Sequence, residues 1–226
     1  MTEINVFPPH GWVKLEEHAG SDLDIVNAAK VSFAKQSASF NEEEYRVLNF
    51  LMREKHGSPF EHNYFKFHVR APIFVVREWQ RHRIGISYNE ESGRYVELRP
   101  DFYIPDEARI QEGKPGSYVF DGGSYAQTET LKTAAKLHSK NSYKYYQSLI
   151  DAGIAKEQAR IVLPLNTYTE FYFSCNARSL MNFLELRLAS NAMYEIRMYA
   201  EAIYKLWSEV MPDTAEVFAL YGHEAP

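Results

Sequence analysis

The stretch NARSLMNFLELRLASNAMYEIRMYAEAIYKLWSEVM, residues 176–211, decides the fold class. At 3.6 residues per turn it predicts roughly ten turns of helix, with a break near Ser190 and Asn191. Just before it, residues 167–175 read as a strand whose Thr169, Phe171, Phe173 and Cys175 share one face. Further upstream, His62–Ala71 alternates: Asn63, Phe65, Phe67 and Val69 on one side; His62, Tyr64, Lys66, His68 and Arg70 on the other. GWVKLEEH at 11–18 resembles a short strand as well. Strands flanking a first helical group, followed by a helix-rich C-terminal half, predict an α+β fold with a mixed or antiparallel sheet rather than a βαβ array.

The remaining elements follow from caps and breakers. Ser21 with Asp24 suggests a capping box that opens a helix running to about Phe33, and Asn41 with Glu44 repeats the signal. Tyr45, Leu48, Leu51 and Met52 then line one helical face up to the turn at Gly57, Ser58 and Pro59. Pro72 suits a first helical position, so PIFVVREWQRHR (72–83) is expected to be a helix ending near Ile84–Gly85. The segment 105–127 carries Gly113, Pro115, Gly116, Gly122 and Gly123 with few aliphatics, and predicts a long, poorly ordered loop. Residues 128–151 predict an amphipathic helix ended by Gly153, and AKEQARIVLP a further helical turn stopped at Pro164.

The chain has 226 residues, so a single domain spanning 1–226 is expected. A composition 45% hydrophobic and 15% aromatic excludes a disordered chain. The net charge of −5 argues against a duplex-DNA binder working through overall positive charge, and no nucleic-acid partner is expected. One cysteine excludes an internal disulfide; with no signal peptide and no long apolar run, the expectation is a cytoplasmic protein without a membrane partner.

The densest polar cluster is RHRIGISYNEESGRY, residues 81–95. Arg presents a planar fork that matches phosphate and carboxylate oxygens, so Arg81, Arg83 and Arg94 around the Ser92–Gly93 turn suit a nucleotide's anionic groups. A solvated basic helix end explains the same residues less sharply. In 176–187, helical geometry places Arg187 on the face of Leu180, Phe183 and Leu184, while Arg178, Asn182, Glu185 and Ala189 take the opposite face. A guanidinium in an apolar stripe needs an accepting partner, either within the protein or on a ligand. His56, His62, His68 and His82 crowd one region, but no metal-ligand spacing connects them and no metal is expected. Ser92 lacks a base–orienter pair, which favours a ligand hydrogen bond over a nucleophilic role, and Cys175 reads as an inert core thiol.

Arg81-His82-Arg83, eight residues, then Ser92 resembles the signature of the flavin-dependent thymidylate synthases, the ThyX family. HGSPFEH (56–62), HVRAPIFVVREWQRHR (68–83), ARIVLPLNTYTEF (159–171) and NARSLMNFLELR (176–187) also resemble that family, so the resemblance runs from about residue 20 to 220. It implies a homotetramer with active sites at subunit interfaces. Such an enzyme converts deoxyuridine monophosphate (dUMP) to thymidine monophosphate (dTMP), with FAD as cofactor and methylenetetrahydrofolate and NADPH as co-substrates. Hydride passes from the reduced flavin to the pyrimidine, so no enzyme nucleophile is required.

Residue by residue, the resemblance implies flavin contacts from Ser58, Arg81, His82, Arg83, Glu90, Asn176, Arg178 and Asn182. It implies dUMP contacts from Glu78, Arg81, Glu90, Glu91, Ser92, Gly93, Arg94, Arg160 and Arg187. Arg187 would face the pyrimidine and favour its N3-deprotonated form, because a fixed positive charge lowers a neighbouring acid's pKa. His56 would lie near flavin or folate. Two positions depart from the family pattern: Glu78 stands where Gln is often found, and Asn191 where a flavin-contacting His is expected. Glu78 beside a phosphate calls for an Arg partner such as Arg77 or Arg81. The competing readings are a non-catalytic nucleotide or single-stranded nucleic-acid binding module, stacking bases on Tyr and Phe, and a metal-dependent nucleotide phosphohydrolase.

Overall fold

The computed structural model describes residues 3–115 and 117–226. The chain forms two compact units: residues 1–70, 77–90 and 170–226 make up one, residues 71–76 and 91–169 the other.

The first unit is built on a five-stranded sheet of order β1-β2-β3-β7-β4, with β1 at Glu3–Asn5, β2 at Trp12–Ala19, β3 at Tyr64–Pro72, β7 at Tyr168–Cys175 and β4 at Ile86–Glu90. The β1–β2, β2–β3 and β4–β7 pairs are antiparallel. The alternation read from the sequence survives in burial: Phe65, Phe67 and Val69 of β3 and Phe171, Phe173 and Cys175 of β7 are buried. They pack with helices α6 (Ala177–Arg187) and α7 (Tyr194–Ser208), whose buried faces carry Leu180, Phe183, Leu184, Ile196, Tyr199 and Ile203. Trp79 sits amid this packing, its ring centroid 5.0 Å from Phe183 and 5.1 Å from Phe171. Burying each such aromatic removes enough apolar surface to contribute about 2–3 kcal/mol.

The predicted α+β class, the long helix α4 (Tyr125–Asp151), the helical turn after Gly153 as α5 (Lys156–Ala159), the strand before Asn176 and the break after Arg187 are all present. Four local expectations are corrected. Ser21 does not cap α1 (Asp22–Lys30) through the backbone; its hydroxyl donates to the Asp24 carboxylate at 2.7 Å instead. At α2 (Glu42–Arg53), Asn41 accepts from the Glu43 N–H at 2.8 Å, but Glu44 turns inward to Lys30 and Ser37. The helix expected over 72–83 is α3, Ile73–Trp79: Pro72 is the last residue of β3 rather than the first of the helix, the helix stops four residues before Arg83, and β4 follows where a loop was expected. After α7 a further helix, α8 at Pro212–Leu220, closes the first unit; its N-terminal Thr214 N–H donates to the Asp22 carboxylate at 2.9 Å.

In the second unit, the expected loop at 105–127 holds an antiparallel pair, β5 (Arg109–Glu112) with β6 (Val119–Gly122), and α4 (Tyr125–Asp151) already begins at Tyr125. Gly116 within that stretch lies outside the described residues. Ser124 and Gln127 form a capping box at the start of α4, three residues earlier than the helix expected from 128. Tyr146 of α4 is fully buried, and its hydroxyl accepts from the Leu98 N–H at 3.1 Å. Among the described residues no helix is long and apolar enough to cross a membrane.

Candidate active site

In the first unit the site begins at the C-terminal turn of α6. Arg187 is only 15% exposed, and it makes three hydrogen bonds inside the protein. Its Nε donates to His82 Nε2 at 2.9 Å, one terminal nitrogen to the Glu78 carboxylate at 3.1 Å, and the other to the Glu78 carbonyl at 3.0 Å. The partner demanded by the apolar stripe is therefore internal, and Glu78 pairs with Arg187 rather than with Arg77 or Arg81.

This geometry fixes the chemistry of His82. Since Arg187 donates to Nε2, that nitrogen carries the lone pair and the ring proton sits on Nδ1. Burial, followed by the charges of Arg187 and Arg81, holds the imidazole at about 4, so it is neutral at physiological pH. The ring lies edge-on to Phe183 at 5.0 Å. The turn after α3 is pinned by Tyr88 of β4, whose hydroxyl donates toward the Trp79 carbonyl at 2.9 Å and the His82 carbonyl at 2.8 Å. Burial raises the Tyr88 phenol above its ordinary range, so it stays a donor. The flanking guanidinium groups of Arg81 and Arg83 are exposed, and neither has a hydrogen bond or ion pair among the described residues. A neutral histidine between two unpaired planar cations is a donor set suited to a multiply charged phosphate ligand.

The N-terminus of α6 supplies the second cluster. Asn176 is the helix cap, its side-chain oxygen accepting from the Ser179 N–H at 2.9 Å, which leaves its amide nitrogen for a ligand. The Arg178 guanidinium pairs with Glu61 and donates to the Pro226 carbonyl at 3.3 Å, while Asn182 donates back to the Arg178 carbonyl at 3.0 Å. At Gly57 a Cβ would lie 2.4 Å from Arg178 Nε, so any larger residue there must displace the Arg178 guanidinium. At Gly85, φ is +67° and a Cβ would meet the Ser179 hydroxyl at 2.2 Å, so only glycine lets this backbone reach α6. His56 and Ser58 are exposed and line a groove of about 920 Å³. Glu90, at the end of β4, accepts from Gln80 at 3.1 Å. Asn191 is exposed in the turn between α6 and α7.

The second unit holds Glu91 and the turn that follows it. The Ser92 hydroxyl accepts from the Arg94 N–H at 3.3 Å, and the Ser92 carbonyl accepts from Tyr95 and Val96. Gly93 is buried against the Arg160 stem, where a Cβ would stand 3.1 Å from Arg160 Cδ and 3.1 Å from Leu98 Cδ1. Arg94 pairs with Glu157 at 2.9 Å, and Arg160 Nε donates to the Glu157 carbonyl at 3.4 Å. The structure thus gathers Ser92, Gly93, Arg94 and Arg160 around one turn, as a phosphate cradle requires.

Sequence reasoning did not single out Tyr88, Glu61 or Glu157. Glu61 lay inside the HGSPFEH motif; Tyr88 lay in a strand that went unrecognised. Cys175 is buried and burial pushes its thiol well above the ordinary range, consistent with an inert core residue. His68 is engaged by Glu170 at 2.9 Å, and among the described residues no group of three His, Cys, Asp or Glu side chains converges as a metal site would.

The family described as thymidylate synthase complementing protein matches residues 14–213. A flavin-dependent thymidylate synthase of Streptomyces avermitilis is 44% identical over 95% of this chain and 93% of its own length. One from Thermotoga neapolitana is 47% identical with the same coverage of both chains. Among solved structures, a UMP/dUMP methylase, PolB, from Streptomyces cacaoi bound with 5-Br UMP superimposes with a TM-score of 0.89 at 42% identity, covering 98% of this chain and 99% of that one.

Proposed function

The chain belongs to the thymidylate synthase complementing protein family, whose similar members are flavin-dependent thymidylate synthases, and from that membership we propose that it methylates dUMP to dTMP with a flavin as its redox cofactor. The finer reading is that the flavin is FAD, that methylenetetrahydrofolate donates the one-carbon unit and NADPH the electrons, and that 1–226 acts as one synthase domain in a cytoplasmic homotetramer with shared active sites.

The observation that carries the reading is the Arg187–His82–Glu78 cluster, flanked by the unpaired Arg81 and Arg83. Flavin contacts are assigned to Ser58, Arg81, His82, Arg83, Glu90, Asn176, Arg178 and Asn182, with His56 and Asn191 nearby. When bound and reduced, the flavin would supply to the pyrimidine the hydride needed for the added one-carbon unit to end as a methyl group. Arg81 and Arg83 neutralise phosphate charge, and Asn176 offers its amide donor. His82, neutral, acts as a rigid acceptor that orients Arg187 and leaves the guanidinium's charge undiminished.

Arg187 is held by Glu78 and His82, and presents its remaining N–H groups to the pyrimidine. There a fixed charge in a partly desolvated position favours negative charge developing on the ring. Glu91, Ser92, Gly93, Arg94 and Arg160 take the nucleotide phosphate through backbone N–H, hydroxyl and guanidinium donors. Subunit interfaces would bring the phosphate-binding and pyrimidine-binding groups together. Incubating the flavin-loaded protein with dUMP, methylenetetrahydrofolate and NADPH should yield dTMP on a chromatogram, with UMP run in parallel to define sugar specificity. A protein that takes up flavin yet methylates neither nucleotide would refute the proposal.

A further inference from the structure

The groove beside His56 and Ser58 is a built feature with a direction. It follows the face of α2 that carries Glu43, Arg46, Val47, Phe50 and Leu51, at helical spacings of three and four. From Glu43 to Leu51 that face extends about 12 Å at 1.5 Å per residue. The opposite wall is the end of α1 and the 3-10 turn Val31–Phe33 that continues it.

The two ends differ in chemistry. At one stand His56 and Ser58, already assigned to the neighbourhood of flavin and folate. The middle is aromatic: Phe33 is 74% exposed and Phe50 44%, with the His56 ring edge-on to Phe50 at 5.5 Å. The far end is cationic. Lys35 has no ion-pair partner among the described residues, and Arg46 is bound only to its own-helix neighbour Glu42, both of them mostly exposed. The one acid lining the groove, Glu43, reaches Lys30 at 3.8 Å and is itself 80% exposed.

The wall is also rigid where it needs to be. Lys30 and Ser37 both reach the buried Glu44 carboxylate, at 2.8 and 2.7 Å. Asn27 brackets the Ser37 backbone through its N–H and carbonyl. This network anchors the 30–37 segment to α2 and leaves Phe33 and Lys35 facing outward in the groove.

On the thymidylate-forming reading above, we infer that this groove binds the tail of the folate co-substrate: Phe33 and Phe50 flank its p-aminobenzoyl ring, and Lys35 and Arg46 take the carboxylates of its γ-linked glutamates. A flat ring followed by a chain of carboxylates matches an aromatic trough that ends in two exposed cations, Lys35 without an ion pair among the described residues and Arg46 held only by a solvent-exposed pair on its own helix. Each added γ-glutamate brings one more negative charge toward Lys35 and Arg46, so the groove should prefer longer tails. The flavin diphosphate is served by Arg81 and Arg83 and needs no share of this end.

The test compares p-aminobenzoyl-monoglutamate with p-aminobenzoyl-tri-γ-glutamate by calorimetric titration of the flavin-loaded protein, and the corresponding mono- and triglutamyl methylenetetrahydrofolates by KM. The wild-type protein should favour the triglutamyl form about fivefold, as expected for two exposed charge contacts. Combining Lys35→Ala with Arg46→Ala should bring that ratio to about one while the flavin affinity stays unchanged. Lys136→Ala, an exposed cation on α4, should keep the preference. A wild-type protein without tail preference, or a double variant that retains it, overturns the inference. Loss of flavin affinity in the double variant also overturns it, by placing the cofactor in the groove. A wild-type protein that takes up no flavin at all would instead refute the parent reading.

Discussion

Replacing Arg187 with Ala removes a guanidinium that makes three hydrogen bonds, to His82 Nε2, the Glu78 carboxylate and the Glu78 carbonyl. The consequences for folding and for catalysis separate. Glu78 is 42% exposed and can recruit water, so its loss of partner costs little. His82 Nε2 is part-buried and loses the Arg187 donor, which together with the lost packing of the Arg stem should lower stability by about 1–2 kcal/mol. The fold and flavin binding should therefore survive. Transition-state stabilisation should fall by about 2–4 kcal/mol, roughly 30- to 1,000-fold in kcat/KM for dUMP, because a charge-assisted contact to the pyrimidine disappears. Arg187→Lys should recover only part, since one ammonium cannot meet a ring nitrogen, a carboxylate and a carbonyl with the same planar fork. The assay is steady-state dTMP formation beside thermal denaturation and flavin absorbance for each variant. Wild-type turnover by the Ala variant would show that the Glu78–His82 contacts are the whole purpose of Arg187.

His82 titrates near 4 in the folded protein against about 6.5 when unfolded, so between those values the unfolded chain takes up the proton first. Stability from the neutral ring is complete above pH 6.5 and is lost as pH falls toward 4, by about 2 kcal/mol after allowance for partial exposure. An NMR titration that placed His82 near 6.5 would contradict this. Gly57→Ala should push the Arg178 guanidinium off its Glu61 and Pro226 partners, weakening flavin binding several-fold with little change in melting temperature; unchanged affinity would remove Arg178 from the flavin site. Tyr88→Phe deletes the hydroxyl that pins the Trp79 and His82 carbonyls, and should raise the flavin dissociation constant while leaving secondary structure intact by circular dichroism; an unaltered constant would show that the turn holds without it. Cys175→Ala should keep turnover within a few-fold, at a stability cost of about 1 kcal/mol for a small core truncation. Abolished turnover in a folded, flavin-binding Cys175→Ala protein would point to covalent catalysis.

The elements legible in the sequence were those with a buried face. The Leu180, Phe183 and Leu184 stripe gave α6, and the alternation of Phe65, Phe67 and Val69 gave β3, because burial imposes a period of 3.6 or 2 on the residue types. β4 left no such trace. It is an edge strand of only five residues, ISYNE, and Ser87, Asn89 and Glu90 are exposed, so polarity made it look like loop. The β5–β6 pair was hidden by the glycines around it and by strands of four residues each, with Val119 and Phe120 facing solvent. Periodicity could also say that Arg187 needed a partner, but not which: His82 and Glu78 lie more than a hundred positions earlier, and only the packing of α3 against α6 brings them within 3.1 Å. The same limit applies to Asn176 and Arg178, which the resemblance implied as ligand contacts: periodicity could not show that one is also a helix cap and the other an ion-pair partner of Glu61.

The most direct test of the central claim is an anaerobic single turnover followed in the flavin absorbance band. The protein is loaded with FAD, reduced with NADPH, then mixed with dUMP and methylenetetrahydrofolate. If the chain is the synthase proposed here, the bleached flavin returns to its oxidised spectrum without oxygen and one dTMP appears for each flavin reoxidised. A flavin that remains reduced while both substrates are bound, or dTMP formed with no change in the flavin spectrum, would contradict it.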